Sequence, residues 1–247
     1  MSNYRIAAER LLNSRRAIAL TGAGISVESG IPDFRSVNGL WSRYDPTEFG
    51  HISSFRESPA RVWKMLSEMD EMLLRAVPNP AHFALAEMEK RGLLSLVITQ
   101  NVDSLHQRAG SRDVIEYHGH TRSLRCDRCR KKFQRDHVSL DILPPLCDCG
   151  YAIRPEIVFF GEEIPDEALV NAYKAACDCD LMLIIGTSAV VAPAAYLPRR
   201  AKERGAFLLE INLAATGLTN KITDLYFAEP AGKSLRAILS AVVDEEK

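Results

Sequence analysis

The sequence predicts an α/β protein: a parallel sheet covered by helices on both faces, with one small metal-binding module set into it. Two observations carry this. Short apolar runs at 17–20, 93–99, 181–185 and 206–211 each end in glycine or polar residues and alternate with segments of helical spacing, the pattern of repeated strand–helix units. Between 120 and 155 that alternation stops, and four cysteines fall as two close pairs.

Composition allows this and narrows the function. A chain of 247 residues has room for one large domain, or a large and a small one. Hydrophobic residues make up 47% and charged residues 26%, and the formal net charge of -1 argues against nucleic acid or an anionic membrane as partner. The uncharged stretch 181–198 approaches the ~18 residues of a membrane span, but Gly186-Thr187-Ser188, Pro193 and Pro198 break it into strand, turn and helix. The first 25 residues carry five charged groups and no continuous apolar core, so a cytoplasmic protein is expected. In a reducing compartment paired cysteines bind metal more often than they form disulfides.

In chain order, 3–13 has apolar residues at helical spacing, and 17–20 is a buried strand. Thr21-Gly22-Ala23-Gly24-Ile25-Ser26 follows. A strand running into a glycine-rich turn suits a pyrophosphate, because glycine lets the backbone approach and the next helix start offers free N–H groups. The match to a dinucleotide fingerprint is partial: Val27 stands in place of the third glycine, and no strand ending in an acidic residue follows about 20 residues on. A tight structural turn explains this loop equally well, and a hydride-transferring dehydrogenase is disfavoured. The irregular segment from Ile31 to Tyr44, with Phe34, Trp41 and Tyr44, reads as a lid over that turn. Helices are expected at 59–76 and 81–90, the second opened by Asn79-Pro80.

The segment 93–119 gathers the candidate chemistry. The strand 93–99 runs into Gln100, Asn101, Val102 and Asp103, a short helix stops at Gly110, and a second apolar run (Val114, Ile115) ends in His118-Gly119. Two strands that stop in polar residues on one rim suggest a shared site, since open α/β sheets bind ligands beyond the carboxyl ends of their strands. Asn101 and Asp103 are also suited to capping the helix that follows, and His118 to a satisfied histidine at a strand end.

Cys126-x₂-Cys129, seventeen residues, then Cys147-x-Cys149-Gly150 place four thiolates for a tetrahedral zinc site. With four sulfurs the site is closed, so the metal would fold the module and not catalyse. The basic residues around it read as a solvated face. Beyond it come a β-like run at 157–160, a helix at 165–176, the strand 181–185 ending in Gly186-Thr187-Ser188, a helix at 193–204, the strand 206–211 ending in Asn212, a last strand within 222–227 and a helix at 231–243. Cys177 and Cys179 read as packing residues.

Taken together, Gly22-Ala23-Gly24-Ile25-Ser26, Gly30-Ile31-Pro32-Asp33-Phe34-Arg35, Gln100-Asn101-Val102-Asp103, His118-Gly119, the four cysteines, Val158-Phe159-Phe160-Gly161-Glu162, Gly186-Thr187-Ser188 and Glu210-Ile211-Asn212 resemble the sirtuins of prokaryotic type, NAD-dependent protein-lysine deacylases. The motifs occur in the family's order along nearly the whole chain. The resemblance implies a Rossmann-type NAD domain (1–32, 80–120 and 156–247) with an inserted smaller zinc-ribbon and helical domain, made of a cofactor-loop and helical module (33–79) and a zinc module (121–155). NAD and an acyl-lysine peptide would meet in the cleft between the large and small domains.

Carried over by position, the resemblance implies that Ala23, Asp33, Phe34, Arg35, Gln100, Asn101, Val102 and Asp103 line the nicotinamide and ribose pockets. Gly22, Gly24, Gly186, Thr187, Ser188, Asn212 and Leu213 would hold the phosphates and the adenosine half. Val158, Phe159, Phe160 and Gly161 would take the substrate peptide as an added strand. In the implied reaction the acyl oxygen attacks the ribose as nicotinamide leaves. His118, with an ordinary pKa of about 6.5, then takes a ribose hydroxyl proton as general base; Asp103 binds the carboxamide and Asn101 positions ribose or water.

One departure bears on specificity. Family members that take succinyl or malonyl groups carry a Tyr and an Arg three apart on the helix after the lid; alignment through Val62-Trp63 places Leu66 and Met69 there. Without a cation to pair a buried carboxylate, acetyl or longer apolar acyl groups are expected. The rival functions are protein mono-ADP-ribosyl transfer and a zinc-ribbon nucleic-acid-binding protein. The second would bind DNA with steep salt dependence, which the near-neutral charge disfavours.

Overall fold

The computed structural model describes residues 2–33 and 43–245. A six-stranded sheet forms its centre, in the order β3-β2-β1-β7-β8-β9. The strands are β1 (Ala17–Thr21), β2 (Leu96–Thr99), β3 (Val114–Glu116), β7 (Leu181–Ile185), β8 (Phe207–Ile211) and β9 (Leu225–Phe227), and every pairing is parallel. The order runs outward from β1 in one direction and from β7 in the other, the Rossmann arrangement. Its switch point, where a crevice opens for a ligand, lies between β1 and β7.

Both faces are covered, as the continuous apolar strands require. Ala17 and Ala19 of β1 face one core with α1 (Asn3–Asn13), α5 (Pro80–Lys90) and α9 (Ala231–Glu245), while Ile18 and Leu20 face the other with α7 (Asp166–Asp178) and α8 (Tyr196–Glu203). The strict alternation is the period-two geometry of a strand buried on two sides. The 181–198 stretch divides as expected into β7, a loop and the start of α8, and no helix of the described residues is long and apolar enough to cross a membrane.

The zinc-module region and the helical module share a third core. Here β4 (Gly119–Cys126) pairs antiparallel with β5 (Lys132–Gln134) and β6 (Ile153–Ile157). Against this small sheet lie α2 (Pro46–Phe49), α3 (Ile52–Glu57) and α4 (Pro59–Arg75), whose Phe55, Trp63, Leu66 and Met69 are buried together with Leu124, Cys126, Cys147 and Ile153. Trp63 Nε1 donates to the Ile153 carbonyl at 2.8 Å, and Arg135 grips the Asp70 carboxylate through Nε and Nη2 at 2.8 and 2.5 Å. The expected boundaries at 120/121 and 155/156 therefore cut through β4 and β6. Periodicity missed this sheet because its strands are rich in polar and charged residues. Of the run expected as a strand at 157–160 only Ile157 belongs to β6, while Phe160 makes an isolated bridge with His51.

Two histidines sit fully buried where α5 meets α6 (Leu105–Ala109): His82 and His106, ring centroids 4.9 Å apart. Burial pushes His82 down to about 4 and His106, helped by its neighbour, down to about 3. Both stay neutral in the fold while the unfolded chain takes up protons below about pH 6.5. Their contribution to stability is thus full above that pH and falls as pH drops towards 4 and 3. The slope approaches about 1.4 kcal/mol per pH unit for each histidine. Thermal melts between pH 7 and 5, where most carboxylates remain ionised, are expected to show a steadily falling midpoint; a flat profile would contradict the assignment.

Candidate active site

Both turns at the switch point are built from glycine for a steric reason. A Cβ on Gly24 would lie 2.6 Å from the Gly186 Cα, and Gly186 itself has φ +59 with Ile25 N 2.3 Å from any Cβ. Only glycine at both positions lets the turn after β1 meet the turn after β7 this closely, and Gly24 N donates to the Gly186 carbonyl at 2.8 Å. The turn continues as a 3-10 helix, Ala23–Ser29, and not as the α-helix start that a dinucleotide fingerprint leads one to expect.

Beyond β2 the chain delivers a connected polar set. Gln100 N donates to the Thr21 carbonyl, and its side-chain Nε2 reaches Thr187 Oγ1 at 2.9 Å, bridging the β1 and β7 rims. Asn101 is buried, with Nδ2 donating to the Gly22 carbonyl at 3.2 Å and to Ser26 Oγ at 3.1 Å. Ser26 Oγ in turn donates to Asp103 Oδ2 at 2.7 Å, while Asp103 Oδ1 accepts from Leu105 N at 2.9 Å. Asp103 therefore both caps the short helix and anchors Asn101 through Ser26. Burial raises the Asp103 pKa, against the pull of the Leu105, Ser26 and Asn101 hydrogen bonds. Sequence reasoning did not single out Ser26, although its place in the glycine motif was visible.

From the next strand, His118 Nδ1 lies 3.0 Å from the Gln100 carbonyl. A carbonyl only accepts, so the proton sits on Nδ1 and the lone pair on Nε2. Burial pulls the His118 pKa below its ordinary 6.5, partly offset by that hydrogen bond; at neutral pH the ring is a neutral base. The following residue, Gly119, has φ +75, and a Cβ there would fall 2.0 Å from the Glu156 carbonyl. Glycine is obligatory where β4 closes onto β6, and that closure places His118 at the joint between the two domains.

These residues meet in one cleft of about 400 Å³. Gly22, Ala23, Gly24, Asp33, Gln100, Asn101, Val102, His118, Gly186, Thr187, Ser188 and Asn212 all border it, as do Val158, Phe159, Phe160 and Gly161. Asp103 faces a smaller adjoining cavity with Ala23, Asn101 and Val102. Leu213 is 67% exposed and does not border the cleft; Phe34 and Arg35 lie outside the described residues, as does Trp41 of the expected lid. Asn212 Nδ2 donates to the Thr187 carbonyl at 3.2 Å, joining the β7 and β8 rims. The cleft is also lined by apolar residues, Leu66 and Met69 of α4 and the segment Val190 to Pro193. The helix expected from Pro193 starts at Tyr196, which leaves Pro193 in the loop that lines the cleft.

The peptide-strand expectation needs one revision. Phe160 N donates to the Gly50 carbonyl at 2.9 Å and Ile52 N to the Phe160 carbonyl at 3.0 Å. Its backbone is thus already paired within the chain, and Val158 N likewise donates to the His118 carbonyl at 2.9 Å, which leaves the Val158 carbonyl and the Gly161 backbone for a new strand. Gly161 also has φ +83, and a Cβ there would strike the His51 ring at 2.5 Å.

The four cysteine sulfurs lie within 4.8 Å of one another, with Cys126 to Cys149 at 3.5 Å and Cys129 to Cys147 at 3.4 Å. A tetrahedral zinc with Zn–S near 2.3 Å sets sulfurs about 3.8 Å apart, so the donor set fits that ion. None of the four is in a disulfide.

A sequence profile of the Sir2 family matches residues 22–193, from the glycine turn to the end of the 190–193 segment. The chain belongs to the Sir2 family. It is 45% identical over 236 residues to NAD-dependent protein deacylase 2 of Pyrobaculum aerophilum, covering 95% of this chain and 94% of that one. It is 44% identical to NAD-dependent protein deacetylase of Saccharolobus solfataricus over 97% of both. Among solved structures, a Sir2 protein with a deacetylated p53 peptide and 3′-O-acetyl-ADP-ribose superposes with a TM-score of 0.90 at 40% identity, covering 94% of this chain and 96% of that one. A Sir2 homologue in complex with NAD gives 0.90 at 42%, covering 97% and 94%. The Sir2 fold thus accounts for the sheet order, the glycine turns at its switch point and the four-sulfur cluster together.

Proposed function

We propose that this Sir2 protein is an NAD-dependent protein-lysine deacetylase, with nicotinamide, O-acetyl-ADP-ribose and free lysine as products. The observation that carries it is the neutral His118, its Nε2 lone pair in the same cleft as Asn101 and the glycine turns of the NAD-type switch point. The Sir2 relatives named for NAD-dependent deacylation, and the one holding the products of that reaction, support the same reading.

Bound NAD would supply an electrophilic ribose carbon with a leaving group, chemistry that no side chain offers. Gly22, Gly24 and Gly186, whose N–H groups are paired within the fold, would let the backbone approach its phosphates, which Thr187 and Ser188 would hold, with Asn212 towards the adenosine half and Ala23, Asp33, Gln100, Asn101 and Val102 towards the nicotinamide half. His118 Nε2 accepts the proton of a ribose hydroxyl, and the Gln100 carbonyl steadies the resulting imidazolium through Nδ1–H. Asn101, fixed by Ser26 and Asp103, orients the ribose or a water. The Val158 carbonyl and the Gly161 backbone would receive the peptide, so that the acyl-lysine enters the cleft lined by Phe159, Leu66 and the 190–193 segment. Cys126, Cys129, Cys147 and Cys149 hold zinc, which folds the module. An intracellular, cytoplasmic setting suits both these thiolates and the substrate.

The test is an acetyl-lysine peptide incubated with and without NAD, followed by mass spectrometry. Loss of the acetyl mass together with nicotinamide release supports the reading; an added ADP-ribosyl mass on protein instead would assign transferase activity. The acyl preference follows from the apolar residues that line the cleft. No Lys or Arg is found among its described lining residues. A succinyl carboxylate there would be desolvated and unpaired, so kcat/KM for succinyl-lysine is expected to be about 100-fold or more below that for acetyl-lysine. Comparable turnover of the two would refute the pocket assignment.

A further inference from the structure

Arg154, on β6, is among the described residues the one fully buried arginine, with 0% exposure. Its guanidinium makes a two-pronged contact with Glu162, Nη1 to Oε1 and Nη2 to Oε2, both at 2.7 Å. Nη2 also donates to the Ile157 carbonyl at 2.6 Å and Nε to the Pro155 carbonyl at 3.4 Å. The group lies 4.6 Å from the centre of the Phe159 ring. Glu162 closes the turn on itself: Oε2 accepts from Phe159 N at 3.0 Å, and Glu162 N donates to the Phe159 carbonyl at 3.0 Å. Nη1 reaches in the other direction to Asp127, between the first two cysteines, at 3.4 Å.

A buried ion pair is a poor device for stability, because desolvating two charges offsets most of their attraction. What a planar guanidinium with several fixed partners does supply is geometry. Its partners here are the Ile157 carbonyl, the Phe159 ring and the Glu162 carboxylate, spaced along the turn that walls the cleft where a peptide would bind. We infer that Arg154 is a positioning residue: through Glu162 it holds the 157–162 turn in the shape a substrate peptide meets, and through Asp127 it ties that turn to the cysteine knuckle. Glu162 borders the same cleft as His118, but both its carboxylate oxygens are engaged by Arg154 and Phe159 N, so its role there is to hold the turn. This inference rests on the deacetylase reading for its substrate, but the clamp itself is a property of the fold.

Two variants of the full, zinc-loaded protein test it. E162Q keeps the side-chain shape and removes the charge; R154K keeps the charge and removes the fork. In each, the KM for an acetyl-lysine peptide is expected to rise about tenfold or more while kcat and the KM for NAD move less than about threefold. Zinc content stays at that of the parent, and amide exchange at Phe159 and Glu162 speeds by about tenfold. Exchange needs no substrate, so it separates the two claims. Faster exchange in E162Q, with a parent protein that releases no nicotinamide, would sink the deacetylase reading and support the clamp. Unchanged exchange with unchanged peptide KM would overturn the clamp, and so would a fall in kcat at constant peptide KM. If R154K does not fold, E162Q decides by the same readouts.

Discussion

Replacing His118 by alanine is expected to lower NAD-dependent deacetylation by about 10²–10⁴-fold, the range for removing a positioned general base. The geometry explains why the loss should fall on chemistry. His118 sits at the domain joint with Nδ1–H committed to the Gln100 carbonyl and Nε2 in the cleft, while the closure of β4 on β6 depends on Gly119 and not on the imidazole. The fold, zinc content and NAD affinity of the variant should stay close to those of the parent. The pH profile adds a second check. Burial lowers the His118 pKa, so in the parent the acid limb of kcat/KM is expected below pH 6.5, with activity falling as pH drops and the imidazole takes a proton. Near-parental turnover in the variant would remove His118 as the base.

The second large effect is expected from the metal. Substituting Cys126 by alanine, or stripping zinc with a strong chelator, should unfold the small domain, because structural zinc sites contribute on the order of 10–16 kcal/mol in small modules. Cys126 and Cys147 belong to the same core as Trp63, Leu66 and Met69. Damage at the knuckle therefore spreads to the cleft wall on α4. Trp63 is a built-in reporter, since its indole is buried and bonded to the Ile153 carbonyl. Loss of its near-ultraviolet signal should coincide with loss of zinc and of peptide turnover, while the six-stranded sheet keeps most of its helical signal. A metal-free protein that stays folded and active would show that the four sulfurs serve another purpose.

Much of this architecture was legible before any coordinates. The strand–helix alternation, the glycine turns after two strands and the spacing of four cysteines are local signals, because backbone geometry and ligand count act over a few residues. The polar residues after β2 and the histidine after β3 could likewise be assigned to one rim, since parallel strands end on the same side. Other features depended on pairs of residues far apart in the chain. The small sheet of β4, β5 and β6 escaped detection because its strands are rich in polar and charged residues (Gly119–Cys126 reads GHTRSLRC), so no apolar run marks them. The family resemblance had joined the helical and zinc modules in one smaller domain, and the structure supplies the contacts, Trp63 on the Ile153 carbonyl and Asp70 with Arg135.

The sequence by itself determined that this chain forms a parallel α/β sheet with a glycine-lined rim and a four-thiolate knuckle. It also carried the motifs by which the Sir2 family is recognised. Only the tertiary structure decided that Asp103 acts on Asn101 through Ser26, that the Phe160 backbone is already paired, that Leu213 turns outward, and that Arg154 links the knuckle to the cleft wall. The physical reason is that hydrogen bonding and burial are settled between elements. A residue's type states what it can donate or accept, but its partner is chosen by whatever the fold brings within about 3 Å of it.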